Sequence, residues 1–320
     1  MATDASSPVI LTGASGLLGT ALRQAFAAAG TPCIQLVRSA AQANARSIVW
    51  NPAATPCVQP EDWPRLEGAR AVIHLSGENL AAGRWTPARK LRFAQSRVDS
   101  TQNLSALLAQ LHAPPAVLLC ASAIGFYGDC GDAVLTEDAA AGTGFLPELC
   151  VAWEQAADRA RACGIRVVPL RFGVVLDQAE GALAKMLPLF RLGLGGRLGQ
   201  GSQWMSWIAL VDVVRAVRHL LEAAHLDGPV NLVAPHPVTN AEFTRTLAQQ
   251  LHRPALVPAP AFALRALLGE MAEAMLLPST RVLPARLLHD GFLFEHATLD
   301  SALRSILSPN GSAPAAPLLG

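Results

Sequence analysis

The sequence predicts an α/β fold, a doubly wound parallel sheet with a smaller, mainly helical C-terminal substrate or lid region. Three observations predict it. Short β-rich runs alternate with amphipathic stretches as far as Arg171, the pattern of a parallel sheet covered on both faces. A glycine-rich turn joins the first strand to the first helix. Beyond Arg171 the alternation gives way to helical segments punctuated by Gly and Pro.

The run at 9–12 is a strand, and Leu18, Leu22 and Phe26 then fall at helical spacing before Gly30. Strands follow at 33–37, 48–50 and 71–75, each bounded by Gly, Pro or polar residues. Leu91, Val98, Leu104, Leu107, Leu108 and Leu111 mark one side of a long helix at 87–111, which Pro114 and Pro115 stop. A strand at 116–120, a helix at 145–163 and a strand at 165–170 complete the first series. Gly193, Gly195, Gly196, Gly199 and Gly201 predict a mobile or tightly turning loop. A helix at 211–223 and a strand at 230–233 precede helices at 240–251, 261–275 and 283–289. The expected division is a nucleotide-binding domain at 1–171, its sheet completed by about 210–235, and a substrate or lid region at 172–209 and 236–307. The tail at 308–320, rich in Pro, Ala and Gly, is expected to be disordered.

With 320 residues, 51% of them hydrophobic and 15% charged, the chain is able to bury a substantial core. Lys and Arg (25) balance Asp and Glu (24), and no stretch concentrates basic charge, so a nucleic-acid partner is not expected. Charge or Pro breaks every apolar run well before the ~18 residues a membrane span needs. The first eight residues lack a basic segment followed by an apolar core, so no secretory signal is expected there. Cys33, Cys57, Cys120, Cys130, Cys150 and Cys163 form no C-x-x-C pair; they read as reduced thiols of a cytoplasmic protein, and no metal is expected.

The stretch from Thr12 to Gly19 reads T-G-A-S-G-L-L-G, a G-x-x-G-x-x-G turn between a strand and a helix. Gly13 permits the tight turn, Gly16 lets a pyrophosphate approach backbone N–H groups at the helix N-terminus, and Gly19 allows close helix–strand packing. The second strand ends at Val37, where a site for NAD would place Asp or Glu on the ribose hydroxyl. This chain has Arg38 and Ser39. A guanidinium there pairs with a 2′-phosphate, which favours NADP(H) over NAD, or else it is a solvated surface Arg. His74, Leu75, Ser76, Gly77 and Glu78 end the fourth strand at the carboxyl edge of the sheet, where ligands of open α/β sheets bind. Gly77 lets backbone come close to a cofactor; His74, between Ile73 and Leu75, reads as a packed histidine, and Glu78 as a charge at the cleft edge.

These motifs, with HLSGENLAAGRWTPARK at 74–90, SRVDST at 96–101, ASAIGFYGDCGD at 121–132, LRFGVVL at 170–176 and two long segments at 181–208 and 252–288, resemble the extended short-chain dehydrogenase/reductases. Within them the chain is most similar to the atypical epimerase-family, or nucleoside-diphosphate-sugar epimerase-like, proteins that carry a C-terminal domain of unknown function. The resemblance implies a Rossmann-type sheet with a site between it and the later residues. It places Gly13, Ser15, Gly16, Leu17, Leu18, Gly19, Arg38, Leu75, Ser76, Gly77, Glu78 and Ser122 near the cofactor. Some relatives carry labels linked to cell division. Ser76 stands where relatives commonly have Ala, and Ala209 where they often have His, which weakens any acid–base role there.

Redox members of this superfamily use Tyr-x-x-x-Lys, the ammonium and cofactor ribose lowering the phenol pKa from ~10. Trp153-Glu154 registers those two positions at about Leu146 and Cys150. The only tyrosine is Tyr127 and the only lysines are Lys90 and Lys185, so composition alone excludes the pair. Ser122, Tyr127 and Glu78 are the remaining catalytic candidates: Ser122 to hydrogen-bond a substrate carbonyl, Tyr127 to line the nicotinamide pocket or else to pack against the sheet. Arg84, Trp85 and Arg97 are candidates for holding an anion, and Phe190, Trp204 and Trp207 either wall a substrate ring or fill core. Two functions follow from this reading. One is an NADP(H)-dependent epimerase-like oxidoreductase or isomerase with non-standard catalytic groups, acting on a sugar nucleotide or another small carbonyl compound. The other is a non-catalytic NADP(H)-binding protein that senses or regulates.

Overall fold

The computed structural model describes residues 7–308. In chain order the first part forms β1 (Val9–Thr12), α1 (Leu17–Ala28), β2 (Cys33–Val37), β3 (Ser47–Val49), β4 (Ala71–His74), α2 (Pro87–Ala94), α3 (Ser100–Leu108), β5 (Val117–Ala123), β6 (Val134–Leu135), α4 (Phe145–Asp158) and β7 (Arg166–Phe172). The second part forms β8 (Val174–Leu176), α5 (Gly181–Arg191), β9 (Trp204–Met205), β10 (Trp207–Ala209), α6 (Leu210–Glu222), β11 (Val230–Leu232), β12 (Val238–Thr239), α7 (Asn240–Leu251), α8 (Ala261–Leu268), β13 (Arg281–Val282), α9 (Ala285–His289) and α10 (Leu299–Leu307). Seven strands pair in the order β11-β7-β5-β4-β1-β2-β3, every neighbouring pair parallel. This is the doubly wound, Rossmann-type sheet the alternation predicts, with β11 as its outer strand.

The strands are apolar on both faces because both are covered. Ile10, Val72, Leu118 and Val167 face Leu104, Leu107 and Leu108 of α3 and Trp153 and Ala157 of α4. Their neighbours Val9, Leu11, Ile73, Leu119 and Val168 face Leu22 and Phe26 of α1 and Val213, Ala216 and Leu220 of α6. Order reverses between β1 and β4, so the carboxyl ends of those strands open the crevice in which such sheets bind ligands.

Several elements differ from the periodicity. The helix expected at 87–111 is two helices, broken by a π-helical turn at Gln95–Asp99. The one expected at 261–275 breaks at Gly269 (φ 62°). The glycines at 193–201 serve close packing: a Cβ on Gly195 would lie 2.6 Å from the Phe190 ring, and one on Gly196 2.0 Å from the Val257 carbonyl oxygen. That stretch runs beside 255–259 through the bridges Leu194–Ala255 and Leu198–Ala259. Apart from Ser308, which follows α10, the tail expected to be disordered lies outside the described residues. Among the described residues no helix is long and apolar enough to cross a membrane.

One buried contact ties β1 to β4 at the crevice. The Thr12 hydroxyl accepts from the N–H groups of Leu75 (3.1 Å) and Ser76 (3.3 Å), so its own proton goes to Nδ1 of His74, 2.7 Å away. His74 is fully buried, edge-on to Trp50, and burial pushes its pKa down to about 4. It is therefore neutral in the folded chain, with Nδ1 as acceptor. Below pH 6.5 an unfolded chain protonates this imidazole while the folded one does not, so the unfolded state binds more protons. The stability held above pH 6.5 falls as the pH drops toward 4, by up to about 3 kcal/mol from this group. Urea denaturation at stepped pH checks this: His74→Asn, which keeps an acceptor for Thr12, is expected to flatten the fall between pH 6.5 and 4, and an unchanged slope counts against the assignment.

Candidate functional site

The crevice is built from three chain ends: the turn after β1, the loop after β4 and the end of β5. Gly13 has φ 67°, and a Cβ on it would lie 2.8 Å from the backbone carbon of Leu75, so the first turn needs glycine for both conformation and space. Gly19 lets α1 rest on that turn, since a Cβ there would sit 2.2 Å from the Gly13 carbonyl oxygen. Gly16 is different. It caps α1 without a side-chain acceptor, is exposed, and a Cβ on it would meet only the Gly13 oxygen at 3.6 Å. The open space lies over the helix N-terminus, where first-turn N–H groups and the helix dipole favour an anion. Ser15 beside it is exposed, and Leu17 and Leu18 are half-buried in the first turn.

Arg38 follows β2, is exposed, and among the described residues has no hydrogen-bond or ion-pair partner. Ser39 accepts from the Ala41 N–H and starts a short turn.

The second wall is the Leu75–Glu78 loop. Its conformation is held from the side of α2 and α3: the Glu78 N–H donates to Ser96 Oγ (3.1 Å), and Arg97 Nη2 donates to the Glu78 carbonyl (2.8 Å). The Glu78 carboxylate itself is a third exposed and faces Arg92 at 3.4 Å. A Cβ on Gly77 would lie 3.1 Å from Cζ of Arg97, so the missing side chain at this position makes room for a guanidinium.

At the end of β5, the parallel register sets Ser122 beside Arg171 of β7. Both reach Glu154 of α4. Ser122 donates to Oε1 (2.6 Å), and Arg171 forks onto the carboxylate with Nε and Nη2, each at 2.9 Å. Arg171 also donates through Nη1 to the Tyr127 hydroxyl (3.0 Å), which donates in turn to Asn231 Oδ1 (2.7 Å). Glu137 closes the network, its Oε1 accepting from the N–H groups of Asn231 (3.1 Å) and Arg286 (3.3 Å). Burial raises the pKa of Glu137 and of Tyr127, the nearby Arg171 charge opposing it at the phenol.

Tyr127 therefore takes the second of its two expected places. It has no exposed surface, packs edge-on against Phe126, and its hydroxyl is engaged both as donor and as acceptor, so it does not line a nicotinamide pocket. Ser122 is 3% exposed, its proton held by Glu154. Leu146 and Cys150, at the positions of the absent pair, are buried; Leu146 packs with Trp85, Phe93, Leu149 and Met271. Burial, with the charge of Glu154, pushes the Cys150 thiol up to about 12, which leaves no thiolate near neutrality. Lys90 cannot substitute, because it pairs with Glu270 (2.5 Å) and lies over the Phe145 ring. Phe190 and Trp207 fill one core cluster, while Trp204 lies apart beneath Arg281, so they form no wall. Ala209 is buried. Arg84 is exposed near Gly269, and Trp85 is core.

Sequence reasoning missed Glu154, Arg171, Asn231 and Glu137. The available signal was charge inside apolar runs, Trp153-Glu154 on the helix and Leu170-Arg171 on the strand.

The comparisons with known proteins agree with this geometry. The family model described as NAD dependent epimerase/dehydratase matches residues 9–232, and that of a domain of unknown function, DUF1731, matches residues 259–306. Epimerase family protein Mb2239 of Mycobacterium bovis is 44% identical over 93% of this chain and 97% of its own length. Human epimerase family protein SDR39U1 is 33% identical over 94% of this chain and 99% of its own. The crystal structure of human SDR39U1 (isoform 2) with NADPH superposes with a TM-score of 0.84 at 32% identity, covering 93% of this chain and 98% of that one. A nucleoside-diphosphate sugar epimerase from Corynebacterium glutamicum superposes with a TM-score of 0.75 at 33% identity, covering 93% of this chain and 57% of that one. With its parallel sheet, its open glycine turn and a match over most of its length, the chain belongs to the NAD-dependent epimerase/dehydratase family.

Proposed function

We propose that the chain binds NADP(H) across the carboxyl edge of the sheet and acts as an epimerase-like oxidoreductase or isomerase on a small carbonyl compound or sugar nucleotide. The observation that carries this reading is the open cradle at Gly16, with Arg38, which has no hydrogen-bond or ion-pair partner among the described residues, at the end of the adjacent strand. Gly13, Ser15, Gly16, Leu17, Leu18 and Gly19 would hold the pyrophosphate, Arg38 the 2′-phosphate, and Leu75, Ser76, Gly77, Glu78 and Ser122 the rest of the cofactor. The NADPH in the human relative's structure supports the choice of NADP(H). When bound, the cofactor supplies a hydride acceptor or donor. Ser122 and Glu78 are the proposed catalytic side chains, and Tyr127 and Glu154 position Ser122 and Arg171. Six unpaired cysteines support a reducing, cytoplasmic setting.

A second reading, a non-catalytic NADP(H)-binding regulator, is favoured by Leu146 and Cys150, which bury apolar surface where the superfamily's acid and cation would stand.

Titration of purified protein with NADPH and NADH, followed by the fluorescence of the reduced nicotinamide, tests the cofactor assignment. NADPH is expected to bind more tightly, and Arg38→Ala to cost NADPH about tenfold or more while leaving NADH nearly unchanged, the scale of one charge-assisted contact. Equal affinities, or a preference that survives Arg38→Ala, overturn it. Gly16→Val is expected to abolish binding of either nucleotide while the melting temperature stays near that of the parent, because the fold leaves room for a side chain there and the pyrophosphate does not.

A further inference from the structure

Two arginines are buried at the reactive edge, and only one of them is neutralised. Arg171, 3% exposed, is forked onto Glu154. Arg97, 8% exposed, donates to the Glu78 carbonyl (2.8 Å) and to Ser96 Oγ (3.4 Å), and among the described residues no carboxylate oxygen lies within ion-pair distance of it. Asp99, two residues on, is exposed and makes no ion pair with it, and the Glu78 carboxylate, whose charge acts on Arg97 from farther off, lies 3.4 Å from Arg92. Two of five guanidinium N–H groups are thus engaged, and among the described residues no ion pair neutralises the charge. A buried cation without a counter-charge is costly and calls for compensation.

The backbone is shaped to keep it there. Arg97 is the centre of the π-helical turn Gln95–Asp99, a distortion that often marks functional positions in helices. Its carbonyl accepts from the Thr101 hydroxyl (2.5 Å), which in turn accepts from the Trp153 indole (3.0 Å). The guanidinium lies between the Gly77 backbone and the Trp153 ring, 5.2 Å from its centroid. Cys150, one turn before Trp153, is close enough for its thiolate form to feel the Arg97 charge. The position that would carry a lysine ammonium is therefore a small thiol, and a cation from the neighbouring helix stands beside it.

We infer that Arg97 is the carboxylate-binding group of the substrate site, and that the substrate is a small carbonyl or hydroxy compound bearing a carboxylate, which it seats between the Gly77 loop and Ser122. This rests on the NADP(H) oxidoreductase reading above. A planar guanidinium with free N–H groups matches a planar carboxylate, and an incoming anion supplies the charge the protein omits.

The test uses NADPH-loaded protein, so that the Gly16 cradle and Arg38 are occupied, with oxalate as probe and oxamide as its uncharged counterpart of the same shape. Quenching of NADPH fluorescence is expected to saturate with oxalate and to need at least about tenfold more oxamide. With NADPH kept saturating for each protein, Arg97→Gln is expected to weaken oxalate by about tenfold or more, and Arg97→Lys to restore part of it. The inference is overturned if oxalate and oxamide bind alike, if oxalate does not bind, or if Arg97→Gln binds it as the parent does. The oxalate–oxamide comparison needs no variant and decides the matter even if Arg97→Gln does not fold. Failure of NADPH itself to bind overturns the cofactor reading instead.

Discussion

The Thr12 hydroxyl is the contact on which the crevice depends. It sits where strand order reverses, and one oxygen takes two backbone N–H groups from the β4 loop while giving its proton to His74. That arrangement sets the imidazole tautomer and draws the Leu75 backbone to the distance that only glycine at position 13 tolerates. The parallel ladder joins β1 to β4, and this oxygen extends the link into the loop, so that the open N-terminus of α1 and the Leu75–Glu78 loop face one crevice. A hydroxyl with both functions committed in a dry interior is costly to disturb, so it fixes geometry as well as contributing stability.

How much could be read beforehand depended on the range over which each feature is encoded. The glycine turn, the strand–helix alternation and the absence of a Tyr-x-x-x-Lys pair are local or compositional, and each was legible. The break at Gln95–Asp99 was not, because the apolar positions on either side keep helical spacing and a single extra residue in one turn leaves that spacing almost intact. The glycines at 193–201 read as either a mobile or a tightly turning loop, and steric contact of Gly195 with Phe190 and of Gly196 with Val257 favours close packing, a distinction composition alone does not make. Tyr127 was ambiguous for the same reason: its two hydroxyl partners, Arg171 and Asn231, lie 44 and 104 residues away.

Where the superfamily places a phenol and an ammonium, this chain has rearranged its polar groups into two separate sets. Ser122, Glu154, Arg171, Tyr127 and Asn231 form a closed chain in which each strong donor has an acceptor and the one full ion pair is bidentate and internal. Such a set is rigid, and removing Arg171 or Glu154 strands the buried charge of the other. Glu78 and Arg97 form the other set, open toward the loop and incompletely matched. The division separates groups that hold the sheet edge in shape from groups left with bonding capacity.

The small parallel pair of β6 and β13 carries a consequence for the two matched segments. Ser279, just ahead of β13, accepts from the Cys130 N–H through its carbonyl, donates its own N–H to Asp129 Oδ1, and donates its hydroxyl to the Gly131 carbonyl. Asn231, in the outer sheet strand, donates through Nδ2 to the Leu283 carbonyl, and Glu137 joins both regions. The boundary that sequence families draw between residues 232 and 259 is therefore not a seam in the folded molecule. Two fragments cut there would each expose half of one buried polar network, so the two segments are expected to unfold in one cooperative transition rather than two.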